Sequence, residues 1–288
     1  MSMWPSITAD DVLDALELER VAAAPGESRD VVVFRARNIV SRVPRTLGAQ
    51  LLAQTVVAAE RVVPHMTVQT LQGAFPRAGD PSLPVDVRVE RLHEGRSVAM
   101  LQVGFRQGDN EHCRAIVTLG GPGAELVRHG DVLAADVPGP EECAEFPVPM
   151  LPWEVRTVGG VEALAPELAG PPRLDLWMRM PGGRLPDAGT WARAVVAYAT
   201  EGFLGPVALR PYPSDEIARR GGRAMSVALA QNVTFHDEFS VGEWVLLRCA
   251  SEYAGGGRMH GRIRVFARDG RLVASVTADG LMRPGLRR

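Results

Sequence analysis

Lysine is absent from this sequence of 288 residues, so all 32 basic residues are arginines. Without lysine the chain cannot form the Schiff base of pyridoxal-phosphate enzymes, and it lacks the phosphate-binding lysine of P-loop and kinase sites. The abundance of Arg, Ala, Gly, Pro and Val also fits a GC-rich genome, which is the simpler cause of the missing lysine. Whatever the cause, these classes of enzyme chemistry are excluded.

Cysteine and histidine are scarce as well, with three and six residues, and neither type shows a C-x-x-C, H-E-x-x-H or other metal-ligand spacing. They are Cys113, Cys143, Cys249, His65, His93, His112, His129, His236 and His260. We therefore predict reduced and mostly buried thiols, no metal and no bound cofactor.

Long apolar runs and an excess of one charge are also missing. The formal net charge is −2, and no basic stripe is present that could follow a nucleic-acid backbone. No run of about 18 apolar residues could span a membrane, and the N-terminal stretch is acidic where a signal peptide would be basic and then apolar. The sequence predicts a cytoplasmic protein with neither nucleic-acid nor membrane partners.

The two halves of the chain repeat one order of segments. In the first half we predict an acidic helix at residues 9–20 and a strand at 31–38. The next segment is RTLGAQLLAQTVVAAERVVP. We predict that it forms a helix that is apolar on almost all sides and is therefore buried. Strand-like segments follow. A stretch rich in Gly and Pro comes next. The same order then recurs in the second half: strands, the predicted helix TWARAVVAYATEGFL, and further strands.

Local matches support a duplication. The turn and strand of DGRLVASVTADGLMR resemble QGDNEHCRAIVTLGG, about 160 residues earlier, and VERLHEGRSVAMLQVGFRQGD matches ASEYAGGGRMHGRIRVFARDG. We predict an α+β fold similar to the double hotdog, with two tandem repeats that each wrap an antiparallel sheet around a long central helix. The expected repeats span residues 1–120 and 151–288, and residues 121–150 form a linker.

Five blocks in order resemble the type II acyl-CoA thioesterase family, which has a tandem hotdog fold. They are RTLGAQLLAQ, FPRAGDPSLPVDVRVERLHEGRS, YATEGFLGPVALRP, FHDEFSVGEWVLL and DGRLVASVTADGLMR. The resemblance covers nearly the whole chain except the linker. It implies hydrolysis of an acyl-CoA ligand without metal or bound cofactor, and a homo-oligomer.

The resemblance also implies catalytic positions, which differ here. The Asp, Thr or Ser, and Gln by which the family activates water fall on Glu201, Ala228 and Ala278. A methyl group neither donates nor accepts a hydrogen bond, so neither alanine can hold water. The paired histidines common in the first repeat of the family are replaced here by Gln69 and Gln72, which carry no titrating proton.

Neighbouring residues are the candidate substitutes. Strict strand alternation places Asn232 on the face of Ala228, while Thr277 and Asp279 point away from the face of Ala278. Glu201 has only apolar neighbours three and four residues away on a helix. Such a carboxylate has a raised pKa, which suits a general base.

Further candidates concern substrate binding. Gly48 and Gln50 match the start of the family's first helix, where glycine permits close backbone approach, although helix packing alone would also require it. Gln72 and His236 match family positions, and for His236 a structural hydrogen bond is the simpler role. Arg219, Arg220 and Arg223 are candidates for binding CoA phosphates, against the simpler alternative of a solvated loop.

Three hypotheses of function remain. The first is an acyl-CoA hydrolase with Glu201 as base, which the family resemblance favours. The second is a protein that binds acyl-CoA or an acyl chain without turnover, which Ala228 and Ala278 favour. The third, a hotdog dehydratase, requires an Asp/His pair over the acyl β-carbon, and no sequence motif indicates one.

Overall fold

The computed structural model describes residues 7–22, 26, 28–39, 44–121, 123–148, 150–160, 169–180, 189–220 and 224–285. Within these ranges thirteen strands form one antiparallel sheet. The strands are β1 (Glu19–Val21), β2 (Val31–Ala36), β3 (Thr67–Ala74), β4 (Val85–Glu94), β5 (Val98–Gln107), β6 (Asn110–Gly120), β7 (Ala144–Glu145), β8 (Glu154–Thr157), β9 (Arg173–Arg179), β10 (Ala224–Phe235), β11 (Val245–Gly255), β12 (Arg258–Ala267) and β13 (Leu272–Pro284). The α-helices are α1 (Ala9–Leu16), α2 (Gly48–Val62), α3 (Gly189–Ala199), α4 (Leu204–Leu209) and α5 (Ser214–Arg219).

The order of strands confirms the predicted duplication. The sheet runs β1-β2-β4-β5-β6-β3-β10-β13-β12-β11-β9-β8-β7, so β3 and β10 join the two halves at its centre. From its outer side inward, the first half contains β2-β4-β5-β6-β3 and the second contains β9-β11-β12-β13-β10, which is the same topology. Each half also has its central helix between corresponding strands. The architecture is a double hotdog.

The central helix α2 is enclosed as predicted. All of its residues except Gly48 and Arg61 are buried, because α3 packs on one side and the strands of the first half wrap the other. The buried residues of α2, α3 and the inner sheet faces form one continuous apolar core. No helix in the described part of the chain is long and apolar enough to cross a membrane.

Two helix predictions were too long. The N-terminal helix, predicted at 9–20, begins with a capping box between Thr8 and Asp11 and ends at Leu16. The chain then turns into β1, which pairs with β2 and forms the edge of the sheet. The helix of the second half ends at Ala199, and the Thr200 hydroxyl bonds back to the carbonyls of Val196 and Ala197. The chain bends at 201–203 before α4 begins.

A β-bulge occurs at the same place in each half. The register of β3 against β6 shifts between Val68 and Thr70, and that of β10 against β13 shifts between Ala228 and Ala230. An extra residue in one strand reverses which face the following side chains occupy. The prediction that Ala228 and Asn232 share a face is therefore wrong.

Part of the expected linker lies against the outer face of the second half. Val132 forms an isolated bridge with Arg271, and the Leu133 N–H donates to the Gly270 carbonyl. Farther along, Cys143 joins a small apolar cluster with aromatic residues of β9, β12 and the start of β11. The segment is thus packed on the sheet although its sequence shows no periodicity.

Candidate functional site

One cavity contains all three positions that the resemblance singles out. Glu201, Ala228 and Ala278 come from the bend after α3, from β10 and from β13, and together they line a space of about 280 Å³. The cavity also reaches residues of the first half, including the start of α2. It therefore lies between the two repeats.

Glu201 lies against the N-terminus of α2. Its carboxylate accepts a hydrogen bond from the Ala49 N–H, and a Cβ placed on Gly48 would be 3.2 Å from its Oε1. The residue that precedes α2, Leu47, supplies no side-chain cap. A carboxylate from the second repeat thus meets the unbonded N–H groups at the positive end of the first repeat's helix.

The pKa of Glu201 is raised above its ordinary value. Burial is the main cause because it disfavours the charged form, and the Arg45 guanidinium and the Ala49 N–H only partly oppose it. Arg45 lies three residues before the first residue of α2 and is exposed. The carboxylate therefore accepts a proton more readily than a solvated glutamate does.

The two alanines face the cavity as methyl groups. Ala228 is opposite Gly280, and Ala278 is opposite Gln231 across the β10–β13 pair. Asp279 is turned outward, as strand alternation predicts: its side chain is 63% exposed and lies 3.0 Å from His260 Nδ1. Thr277 is also exposed and does not line the cavity, whereas Asp279 borders the cavity with its side chain largely in solvent.

Asn232 is on the outer face of the sheet, which corrects its prediction as a substitute. It is exposed, and its Nδ2 lies 3.4 Å from Thr277 Oγ1. The cause is the extra residue Leu229, which reverses the alternation between Ala228 and Asn232.

Gln231 takes the inner position instead. It is only 1% exposed, and its Nε2 donates to Thr200 Oγ1 at 3.0 Å. Its Oε1 is buried without a partner among the described residues. The bulge that turns it inward has no clear signal in the sequence, so sequence reasoning missed it.

Ser226 is a second polar residue that was missed. It precedes the bulge and therefore shares the face of Ala228, and it lines the cavity close to α4: a Cβ on Gly205 would be 2.5 Å from its Oγ. Alternation counted toward the start of the strand from Ala228 would have found it.

The wall from the first repeat is polar at one end. Thr46 and His112 are buried and line the cavity, and two exposed arginines, Arg45 and Arg77, lie at its rim. Burial and the charge of Arg77 lower the pKa of His112, against the opposing effect of the Ala78 carbonyl. Nothing in the sequence indicates that these residues of the first repeat meet Glu201.

The other end is apolar. A small neighbouring cavity shares Met150 and Gly202 with the main one and is otherwise lined by apolar atoms. Its lining includes Leu151, Tyr198 and Phe203. The site thus runs from a basic rim past a carboxylate to an apolar recess.

The predicted residues of the first repeat divide between the cavity and other places. Gly48 lines the cavity. Gln50 is used in structure, since its Oε1 accepts from the Ile39 N–H at 2.7 Å and its Nε2 donates to Asn38 Oδ1 at 2.8 Å. Gln69 is exposed at the bulge of β3, and Gln72 is exposed on the outer face, directly opposite Asn232.

The predicted residues of the second repeat lie elsewhere. His236 Nε2 contacts Ser275 Oγ at 2.8 Å at an exposed position. Arg219 and Arg220 pair with Asp215 and Glu216 of their own helix and do not line the cavity. Arg223 lies outside the described residues.

Comparison with known proteins assigns the chain to a protein family. The model of the acyl-CoA thioesterase N-terminal domain matches residues 41–120, and that of the C-terminal domain matches residues 131–282. The chain belongs to the type II acyl-CoA thioesterase family. Two matching domain models in tandem agree with the two structural repeats.

Relatives of this thioesterase-family chain span its length. It is 27% identical to human acyl-coenzyme A thioesterase 8 over 89% of this chain and 86% of that protein. It is 24% identical to acyl-CoA thioesterase 2 of Haemophilus influenzae over 95% of this chain and 97% of that protein. The solved tesB protein of Mycobacterium avium subsp. paratuberculosis superposes with a TM-score of 0.79 at 27% identity, over 96% of this chain and all of that one.

Proposed function

We propose that this protein hydrolyses acyl-CoA thioesters, with Glu201 as the general base. The observation that carries the proposal is the position of Glu201: a carboxylate with a raised pKa in an inter-repeat cavity, at the N-terminus of α2. Family membership supports the substrate class.

The reaction requires one proton acceptor and one oxyanion site. Water attacks the thioester carbon while Glu201 takes a proton from it; the tetrahedral intermediate then collapses, the C–S bond breaks, and the proton passes to the CoA sulfur. The Ala49 N–H bonds to Glu201, and the other first-turn N–H groups of α2, which receive no side-chain cap from Leu47, can stabilise the oxyanion. The products are the free acid and CoA.

Two further side chains support the rebuilt site. Ser226 offers a hydroxyl on the face of Ala228, where it can hold the attacking water. Gln231 acts through Thr200, the residue before Glu201, and so fixes the bend that carries the base. These groups partly replace the polar atoms that Ala228 and Ala278 lack.

The shape of the site orients the ligand. The exposed guanidinium groups of Arg45 and Arg77 suit the phosphates of CoA, and the apolar recess beside Met150 and Phe203, with about 30 Å³, suits the first carbons of an acyl group. Arg45 and Arg77 are better placed for the phosphates than Arg219 and Arg220, which are paired within α5.

A second candidate is acyl-CoA binding without turnover. It is favoured by the two methyl groups that face the cavity at Ala228 and Ala278. Removing one group that stabilises the transition state typically costs about a hundredfold or more in rate. Two uncompensated losses would leave a binding protein.

One structural observation favours the third candidate, a dehydratase. Glu201 and His112, a carboxylate and an imidazole from different repeats, line the same cavity. A dehydratase would convert 3-hydroxybutyryl-CoA to its unsaturated product without releasing CoA, so product analysis separates the two reactions.

The deciding experiment is thiol release from short, medium and long acyl-CoAs, comparing wild type with Glu201→Gln at equal folded concentration. Glu19→Gln, an exposed substitution on β1, is the matched control. Hydrolysis requires turnover by wild type and the control and its loss in Glu201→Gln. Saturable binding with no turnover in any of the three supports the second candidate.

A further inference from the structure

Thr46 and His112 are buried polar residues whose side chains keep unused hydrogen-bonding atoms among the described residues. Thr46 is 9% exposed and His112 is 6% exposed, and both line the Glu201 cavity. In the described part of the chain nothing bonds to Thr46 Oγ1, and the Ala78 carbonyl is the one partner that the His112 ring has, so at least one ring nitrogen is unbonded. Such burial costs on the order of 1–3 kcal/mol for each unpaired group, so a ligand that supplies the partners recovers that cost.

The two side chains are held together by Gly79. A Cβ on Gly79 would lie 2.8 Å from Thr46 Oγ1 and 3.2 Å from His112 Cγ, so both groups crowd the same backbone position. The Thr46 N–H also donates to the Gly79 carbonyl at 2.9 Å. The pair is therefore fixed in place by the backbone before any ligand enters.

Their chemistry matches an amide. His112 has a lowered pKa and is therefore neutral at pH 7, with one N–H donor and one nitrogen acceptor. The hydroxyl of Thr46 can donate and accept. An amide also presents one donor and one acceptor, whereas a plain acyl chain presents neither.

The position of the pair favours the CoA arm over the acyl chain. Arg45 and Arg77 lie on the same wall and suit anionic phosphates, while the apolar recess beside Met150 and Leu151 suits the acyl chain. In acyl-CoA the pantetheine arm, which carries two amides, connects the thioester to the phosphates. A ligand oriented in this way places an amide beside Thr46 and His112.

We propose that Thr46 and His112 form a subsite that hydrogen-bonds an amide of the pantetheine arm. The inference rests on the proposed acyl-CoA substrate and names the part of it that this wall recognises. It adds two binding residues from the first repeat to a site whose base comes from the second.

The test uses thioethers, which bind without being hydrolysed, so the result is independent of turnover. The probes are S-butyl-CoA, S-butyl-N-acetylcysteamine, which keeps one amide, and 2-(butylthio)ethanol, which has none. Calorimetric titration compares wild type with Thr46→Val and His112→Phe. The exposed His93→Phe is the matched control.

We expect each variant to bind the two amide-bearing probes about three- to tenfold more weakly, as the loss of one neutral hydrogen bond predicts. Binding of 2-(butylthio)ethanol should not change, and the control should match wild type throughout. Thr46→Ser and His112→Asn, which retain hydrogen-bonding atoms, should recover part of the affinity. If the apolar variants fail to fold, these two variants provide the test in their place.

Two results would overturn the inference. One is that the variants bind all three probes equally more weakly, or no more weakly than wild type does. A wild type that shows no preference for the amide-bearing probes counts as the same result. The other is a variant effect that appears only with S-(3-hydroxybutyl)-CoA, which would assign the subsite to an oxygen on the acyl side. If the amide preference holds while no acyl-CoA is turned over, the inference stands and only the hydrolase proposal fails.

Discussion

Glu60 and Glu201 occupy equivalent positions in the two repeats, but only Glu60 is paired with a buried arginine. Each lies twelve residues after the first glycine of its central helix, Gly48 or Gly189, and each reaches the N-terminus of the other helix. Glu60 accepts two hydrogen bonds from Arg193, at 2.8 and 2.9 Å, and others from the Thr190 hydroxyl and the Val68 N–H.

The residue of α2 that corresponds to Arg193 is Leu52, since both lie four residues after those glycines. Among the described residues Glu201 therefore has no equivalent buried counter-ion, and it interacts with the Ala49 N–H and the exposed Arg45. The duplication gave two similar sites. Both sites border a cavity, but an ion pair holds the carboxylate of the first, while in the described residues no buried arginine meets the carboxylate of the second.

This asymmetry predicts that substitution of glutamate by glutamine has different effects on stability at Glu60 and at Glu201. Glu60→Gln leaves the Arg193 charge buried without a counter-ion, so we expect a loss of about 3–5 kcal/mol in unfolding free energy. Glu201→Gln removes a poorly solvated carboxylate, so it should keep or raise stability while abolishing turnover. Urea denaturation and thiol release measure the two effects, and equal destabilisation by both substitutions would contradict the asymmetry.

The raised pKa of Glu201 predicts the pH dependence of stability. The folded protein holds a proton on Glu201 above the ordinary pKa of 4.5, so it binds more protons than the unfolded chain up to the raised value. Between those two values the unfolding free energy of wild type should fall, relative to Glu201→Gln, as pH rises. Denaturation of both proteins across a pH series gives this difference. A difference that increases with pH would show that the pKa is lowered.

The same shift predicts the pH profile of activity. A general base works when deprotonated, so kcat/KM should rise with pH through a value above 4.5. Glu201→Gln should lack this acidic limb in any residual activity. An unchanged limb in the variant would assign the titration to another group.

The sequence was sufficient for the fold and for one part of the site. The helix around Leu52 is apolar on nearly all sides, which predicts its enclosure, and the repeated order of segments predicts the double sheet. The resemblance singles out Glu201, Ala228 and Ala278, and these three residues line one cavity. These features depend on local pattern and on position along each repeat.

The remainder of the site depends on register and on contacts between repeats. One extra residue, Leu229, exchanges the roles expected for Gln231 and Asn232, and a bulge of this kind leaves no periodic signal. Thr46 and His112 share a cavity with Glu201 only because the two repeats join through the β3–β10 pair and the packing of α2 on α3. Sequence spacing carries no information about such a meeting.

Restoring the polar groups should raise the rate. Ala228→Thr and Ala278→Gln place a hydroxyl and an amide at positions that already face the cavity. If Glu201 is the base, the double variant should gain about tenfold to a hundredfold in kcat, since each such group typically contributes a few kcal/mol. Thiol release measures the gain, with Ala230→Thr, which follows the bulge, as the control. A binding protein without a base would gain nothing.

Gln231 and Asn232 provide a paired test of the bulge. Gln231→Leu removes the bond to Thr200 beside Glu201, so it should lower kcat with little effect on KM. Asn232→Leu changes only the exposed outer face and should leave both constants unaltered. The reverse pattern would mean that strict alternation holds and that no bulge occurs at Leu229.

The substitution Gly48→Ala adds one methyl group directly beside the proposed base, Glu201. A Cβ there would lie 3.2 Å from Glu201 Oε1 and 3.3 Å from the Phe75 ring, so the carboxylate must shift by a few tenths of an ångström. Because Gly48 begins α2, alanine should preserve or slightly raise stability by its helix propensity. We expect Gly48→Ala to lower kcat about tenfold with an unchanged melting temperature, since small displacements of catalytic groups are costly. Gly123→Ala, with open space around the added methyl, is the control. Full activity in Gly48→Ala would show that contact between Glu201 and the start of α2 is not required for turnover.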